Sequence, residues 1–418
     1  MTDPGTSAPS AAPNHGRVVT AAGMGINLAL GILYSWSVVS KAIPAEWGWS
    51  EAGRSLPYSV ACLVFSLVMV PAGRMQDRLG PRLVATIGGV LVGIGMIVAS
   101  FSTSLAGYIT GFGLLAGAGI GFGYSATTPA AVKWFPAAKT GFITGLVVAG
   151  FGLASVYMAP LANALIAARG VPATMFVLGI GFTIAVVGLS QVLRVPPAGF
   201  DPGAGAAQVQ GGPGVAAHPT DFAPGEMLRT WQFYVLWFML ACGAGAGLMV
   251  ISKLVKMVEV QSGLALGFLL VAVLAVGNGA GRIGAGLLSD RIGRQPALFG
   301  CFVLQAIAIV LLSMASPGSA LGSVAVMAAL SAVIGANYGA NLAVLPSMTK
   351  DYYGLRNFGA NYGLVFTAWG LGGFTLSLLA GAVYDRTQSF AFAYDGSAVL
   401  LVAAAAVTFL VRPPARRP

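Results

Sequence analysis

Apolar runs long enough to cross a lipid bilayer recur twelve times along this chain, and no other feature restricts its fold as much. They fall near residues 18–42, 55–73, 83–102, 106–131, 140–167 and 172–193, and again near 231–257, 264–288, 296–315, 320–346, 357–383 and 391–411. Each approaches or exceeds the ~20 residues that a helix needs to span the hydrocarbon. Lipid offers no partners to backbone N–H and C=O groups, so each run is expected as a helix that satisfies its own. Hydrophobic residues make up 57% of the chain and charged ones 8%, against roughly 45–50% and 25% in soluble domains. Glycine is abundant, 59 of 418 residues, which suits close backbone approach between membrane helices. The stretch 194–229 breaks the pattern with VPPAGFDPGAGAAQVQGGPG and reads as a flexible linker. The expected organisation is a disordered tail (1–16), a six-helix bundle (17–193), a cytoplasmic linker (194–229), a second six-helix bundle (230–411) and a short tail (412–418). Residues 1–16 have no apolar core and do not read as a signal peptide.

The two halves echo one another. Gly73-Arg74-Met75-Gln76-Asp77-Arg78-Leu79-Gly80-Pro81-Arg82 reappears half a chain later as a run carrying Gly286, Asp290, Arg291, Gly293 and Arg294. Both copies read G-x-x-x-D-R-x-G and follow an apolar run, the mark of two similar structural units. The glycines are expected to turn the chain between helices, with Asp and Arg pairing across the mouth of a bundle. Asp77, Arg78, Arg82, Asp290, Arg291 and Arg294 are therefore the conformational candidates. Tyr124-Ser-Ala-Thr-Thr-Pro129 with Lys133 is answered by Asn341-Leu-Ala-Val-Leu-Pro346 with Lys350, and Gly145 and Gly152 by Gly363 and Gly370. The paired motif resembles the signature loop of the major facilitator superfamily. That resemblance implies an all-α integral membrane protein, with twelve transmembrane helices in two pseudo-symmetric bundles around a central site.

The net charge of +10 raises the question of nucleic acid, but its distribution answers it. Placed with both termini in the cytoplasm, the inner segments hold Arg17, Arg74, Arg78, Arg82, Lys133, Lys139, Arg194, Arg229, Arg291, Arg294, Lys350, Arg356, Arg412, Arg416 and Arg417. The outer ones hold only Lys41, Arg54, Arg169, Lys253, Lys256 and Arg386. This is the positive-inside bias of a membrane protein, here expected in a bacterial inner membrane and functional as a monomer. Cys62, Cys242 and Cys301 sit in apolar runs and read as small buried hydrophobes rather than disulfides or metal ligands. No cofactor or metal is expected. An enzyme would need a catalytic set near one membrane face, and the histidines, His15 and His218, both fall in the tail and linker. A phosphate-binding G-x-x-x-x-G-K-[ST] loop is absent from the sequence, which argues against nucleotide-driven transport.

One basic residue is left over. Arg282 lies in the middle of the eighth run, in VLAVGNGAGRIGAGLLSD. A guanidinium at that depth costs at least a few kcal/mol and cannot lose its proton. The acids all fall in tails, loops or span ends, so Arg282 reads as the receptor for an anionic substrate, its fork matching a carboxylate. The alternative is a structural arginine held by backbone carbonyls. Asn278, four residues earlier, shares its helix face and either orients the guanidinium, bonds a substrate hydroxyl or packs helices. Further candidates are Asn27, Leu28 and Tyr34 (first run), Tyr124 (fourth), Asn337, Tyr338 and Asn341 (tenth), and Asn361, Tyr362 and Trp369 (eleventh). Together they suggest a small, polar, singly charged site.

Gly31-Ile-Leu-Tyr34-Ser-Trp36-Ser-Val, Lys133-Trp134-Phe135-Pro136, Arg282 and Asn361-Tyr362-Gly363 with Thr367-Ala368-Trp369-Gly370 resemble the monocarboxylate transporter and oxalate/formate antiporter branch. The match covers nearly the whole chain outside the tails and linker. It implies that Arg282 binds carboxylate. Oxalate exchangers carry a second cation, a lysine, where Trp369 stands, so one carboxylate of the lactate or pyruvate type is favoured. Animal members carry an aspartate where Asn278 stands and a lysine where Val38 stands, with Lys41 about a turn further out. The expected function is monocarboxylate transport with a proton by alternating access; anion exchange is the alternative. The proton travels either on the substrate or through Glu259, Asp385 or Lys41.

Overall fold

A break at Gly170 decides the helix count. The computed structural model describes residues 12–197, 200, 221–263 and 267–414, and every regular element among them is helical. The first half opens with α1 (Ala12–Leu30), drawn out by a 3-10 turn (Gly31–Ser35) and a final turn (Trp36–Lys41). Next come α2 (Glu51–Leu79), α3 (Pro81–Ser100) and α4 (Leu105–Val132), whose segment Ile109–Ala116 winds as a π-helix. The following run, Thr140–Ser190, is 51 residues long. At 1.5 Å per residue it would measure about 76 Å, more than twice the hydrocarbon of a bilayer. Gly170, with φ 76 and ψ 173, is non-helical and splits it into α5 (140–169) and α6 (171–190). The second half comprises α7 (Trp231–Ser262), α8 (Gly267–Ile292), α9 (Arg294–Ser313), α10 (Val324–Tyr353), α11 (Phe358–Thr387) and α12 (Ala391–Thr408). The expected twelve spans are thus all present.

The half-chain repeat extends to the packing. In the first bundle α1 lies on α4 and α5, α2 on α4, and α3 on α4 and α6. The second bundle repeats this: α7 on α10 and α11, α8 on α10, α9 on α10 and α12. The bundles meet along α2 with α11 and α5 with α8, equivalent pairs under the repeat. Large apolar side chains such as Leu67, Phe101, Ile184, Phe392 and Val402 point outward, the surface that lipid covers in a multi-pass membrane protein.

The motif glycines divide their labour differently from expectation. Gly80 (φ 87) and Gly293 (φ 94) make the tight turns, in a conformation an L side chain rarely adopts. Gly73 and Gly286 lie inside α2 and α8. A Cβ on Gly73 would collide with the carbonyl of Gly359 on α11, and one on Gly286 with the carbonyl of Gly141 on α5. They set the closeness of the two inter-bundle crossings.

Two boundaries move. Helix α1 starts at Ala12, inside the segment expected as a tail, and His15 belongs to it, stacked on Trp134 at 6.0 Å. Residues 1–11, and His218 with most of the linker, lie outside the described residues. The end of the linker is built into the protein: Pro224–Met227 is helical, Phe222 and Met227 are buried, and Phe222 N–H donates to the Tyr353 carbonyl at 3.0 Å.

Candidate functional site

Arg282 is completely buried at the seam of α5 and α8, with no ion pair to any described residue. Its Nε donates to Asn278 Oδ1 at 2.9 Å, one guanidinium nitrogen to the Val148 carbonyl at 2.5 Å, and the other to the Tyr34 hydroxyl at 3.5 Å. The expected i to i+4 pairing with Asn278 is therefore present, and it orients the fork. A guanidinium carries five N–H donors; three are directed, which leaves two for a ligand. Gly152 makes room for this arrangement, since a Cβ there would stand 3.1 Å from both Arg282 Nε and Asn278 Oδ1.

Around the guanidinium stands an aromatic chamber walled by Tyr34, Phe65, Tyr124, Phe151, Phe366 and Trp369, with Leu342. The rings close on one another and leave no room for a water molecule among them, so a ligand can enter only when they part. Tyr34 sits on the 3-10 turn that interrupts the first helix, a departure that often marks a hinge. Its hydroxyl is hydrogen-bonded across the bundles to that of Tyr338, which also accepts from Trp369 Nε1 at 2.8 Å. Tyr124 and Tyr362 lie buried beside one another and beside Arg282, but neither hydroxyl meets hydrogen-bond geometry with a described residue.

Beyond the Tyr34–Tyr338 bridge, at the end of the molecule away from the motif loops, a vestibule opens between α1, α2, α7 and α11. Tyr34 lines both spaces.

The motif end is closed. The Asp77 carboxylate accepts from Gly359 N–H (3.1 Å) and Ala360 N–H (2.9 Å) at the start of α11. Asp290 accepts from Gly141 N–H (2.9 Å) and Phe142 N–H (2.8 Å) at the start of α5. Each acid thus satisfies free N–H groups at a helix N-terminus of the opposite bundle, where the helix dipole favours negative charge. Arg294 braces Asp290 (2.5 Å) and Asp351 (2.9 Å) within its own half. Lys350 links Asp351 (3.0 Å) to Thr140 Oγ1 (2.8 Å) across the seam.

Several candidates stand elsewhere. Asn337 and Asn341 donate to the carbonyls of Val333 and Asn337 on their own helix, Asn341 also reaching Gln305. Leu28 lines neither space; its carbonyl accepts from Tyr157. Asn27 ties α1 to Thr127 and Val147, and Asn361 holds the linker through the Phe222 carbonyl at 3.1 Å. The site is therefore aromatic rather than amide-lined. Arg78 and Arg291 are exposed, and Arg82 donates to Gln191 within its own bundle at 2.7 Å, so of the motif arginines only Arg294 joins the closure. Asp and Arg do not pair across the mouth as expected, because backbone N–H groups take that place. Glu259 and Lys41 are exposed and do not line the chamber; the side chain of Asp385 lies outside the described residues. Phe65, Phe151 and Phe366 were not expected, although Tyr362, Phe366 and Trp369 share one face of α11.

The chain is similar to known proteins along most of its length. A family model described as Major Facilitator Superfamily matches residues 18–325 and 259–418. The oxalate:formate antiporter of Oxalobacter formigenes is 29% identical over 340 residues, covering 81% of this chain and 77% of its own. Monocarboxylate transporter 13 of Bos taurus is 25% identical over 385 residues, covering 91% and 85%. Among solved structures, the major facilitator transporter FucP superposes with a TM-score of 0.69 at 12% identity, covering 94% of this chain and 98% of that one. With a family model spanning nearly its whole length, this chain belongs to the Major Facilitator Superfamily, a family of membrane transporters and not of enzymes.

Proposed function

We propose that the protein carries a small monocarboxylate, of the lactate or pyruvate type, across the membrane by alternating access, with a proton. The observation that carries this reading is the completely buried, acid-free Arg282 with two N–H donors to spare. A carboxylate would supply the counter-charge that the protein withholds, and would bind bidentately. One cation in an aromatic chamber suits one carboxylate with a small apolar body. The names of both relatives, an oxalate:formate antiporter and a monocarboxylate transporter, are in keeping with that class of substrate.

In the described arrangement the chamber is sealed from the motif end by the Asp77 and Asp290 closures and from the vestibule by Tyr34 and Tyr338. Transport on this reading alternates between parting the tyrosines and parting the two carboxylate caps. With the motif end and both termini in the cytoplasm of a bacterial inner membrane, and the protein acting as a monomer, the vestibule faces outward. The proton rides on the substrate, because no described carboxyl group lines the chamber.

The test is uptake of labelled L-lactate into proteoliposomes, with and without an inward proton gradient, for wild type and Arg282→Ala. Gradient-stimulated uptake that vanishes in the variant is expected. Uptake that ignores the gradient and needs internal oxalate or formate would establish exchange instead, the second reading that the antiporter relative favours. Full activity in Arg282→Ala would refute the assignment of the site.

A further inference from the structure

The vestibule has a chemistry of its own. Its wall carries a lysine, Lys253 on α7, together with the hydroxyl-bearing Ser40, Tyr58, Ser59, Ser252 and Ser377. Ser252 Oγ donates to Ser377 Oγ at 3.3 Å, joining α7 to α11 beside the lysine. Lys253 Nζ lies alongside Gly381 of α11, 3.6 Å from where a Cβ would stand. Lys253 enters no ion pair with another described residue. The Tyr58 hydroxyl is buried beside the Cys62 thiol. Tyr34 lines both this space and the chamber around Arg282.

We propose that the vestibule is a second anion-binding station, where Lys253 and the surrounding hydroxyls hold a carboxylate before Tyr34 and Tyr338 part to admit it to Arg282. The proposal rests on the reading of Arg282 as a carboxylate receptor. The two cations divide the work according to their chemistry. An ammonium is a compact, well-hydrated charge on a flexible stem, suited to capturing an anion without fixing its orientation. The guanidinium, locked by Asn278 and Val148, imposes a geometry. Because the chamber is closed over Arg282, an arriving anion has to wait outside it. The positive charge of Lys253 in the vestibule wall raises the local anion concentration and the rate of capture. The hydroxyls supply donors that replace part of the lost hydration.

Two measurements test this. In right-side-out vesicles, Lys253→Gln should raise the KM for L-lactate uptake roughly three- to tenfold and flatten its dependence on ionic strength. Vmax should hold, and Lys253→Arg should restore both properties. An unchanged KM with an unchanged salt dependence overturns the proposal. The second measurement needs no transport: the rate at which an amine-acylating reagent modifies Lys253, followed by mass spectrometry. L-lactate or formate should protect Lys253 equally in wild type and in Arg282→Ala, while lactamide, of similar shape but uncharged, should not. Absence of protection, or equal protection by lactamide, overturns the proposal. Protection retained in a protein that transports no carboxylate would instead refute the role of Arg282 and leave the station standing.

Discussion

Replacing Asp290 by asparagine tests whether the carboxylate caps hold the motif end shut. In the described arrangement this carboxylate receives two backbone N–H groups from the start of α5, at 2.9 and 2.8 Å, and is only 10% exposed. Hydrogen bonds to a charged, buried group contribute roughly 1.5–3 kcal/mol each, and neutral ones about 0.5–1.5. Asparagine keeps one neutral acceptor and turns its NH₂ toward the other N–H. The difference is about 2.5–4.5 kcal/mol in favour of opening, and at about 1.4 kcal/mol per tenfold it shifts the closed-to-open ratio roughly 60- to 1,600-fold. Arg294 retains Asp351 and Ser289 as partners, so the fold should survive. The assay is pulsed electron-spin distance measurement between labels at Leu83→Cys and Leu355→Cys, exposed positions on opposite bundles at the motif end. Cys62, Cys242 and Cys301 are buried and should stay unlabelled. A long-distance population should grow in Asp290→Asn, and likewise in Asp77→Asn. A distribution identical to wild type in both would show that the caps do not govern the closure.

Three further outcomes follow from the same geometry. Arg282→Lys keeps the charge but loses the fork, so its KM for the carboxylate should rise at least about tenfold in the uptake assay, where Arg282→Ala is silent. Tyr338→Phe removes both the bond to Tyr34 and the acceptor for Trp369; it should speed alkylation of Cys62, near Tyr34 and Tyr58, by a small maleimide, and an unchanged rate would show that the tyrosine bridge is no barrier. Gly281→Ala drives a Cβ into the Ala336 carbonyl of α10, whereas Gly284→Ala meets nothing within 4 Å. The first should cost about 1–3 kcal/mol and lower the thermal unfolding midpoint, and the second should leave it unchanged or raised.

What could be read from the sequence, and what could not, divides along a physical line. Period is written in the chain, but phase is not. Apolar length marks the spans, and the spacing of four puts Asn278 beneath Arg282, so the pair is legible before any coordinates. The same spacing puts Asn337 and Asn341 on a common face of α10, but that helix is buried on most sides and nothing in its sequence says which face meets the other bundle. Tyr338, one position and about 100° around the helix from Asn337, is the residue that crosses. The phenylalanines of the chamber were missed for a related reason: phenylalanine is as suitable facing lipid as facing a ring, and only the shared face of Tyr362, Phe366 and Trp369 marks one of them. The motif misled in a different way. Its acids were expected to meet arginines, yet a helix N-terminus presents bare N–H groups and a partial positive charge that need no side chain to announce them. Glycine-lined crossings at Gly73 with Gly359 and Gly141 with Gly286 bring those N-termini within reach of Asp77 and Asp290. The repeated motif is therefore built as a unit: its glycine sets the approach and its acid caps the opposite bundle.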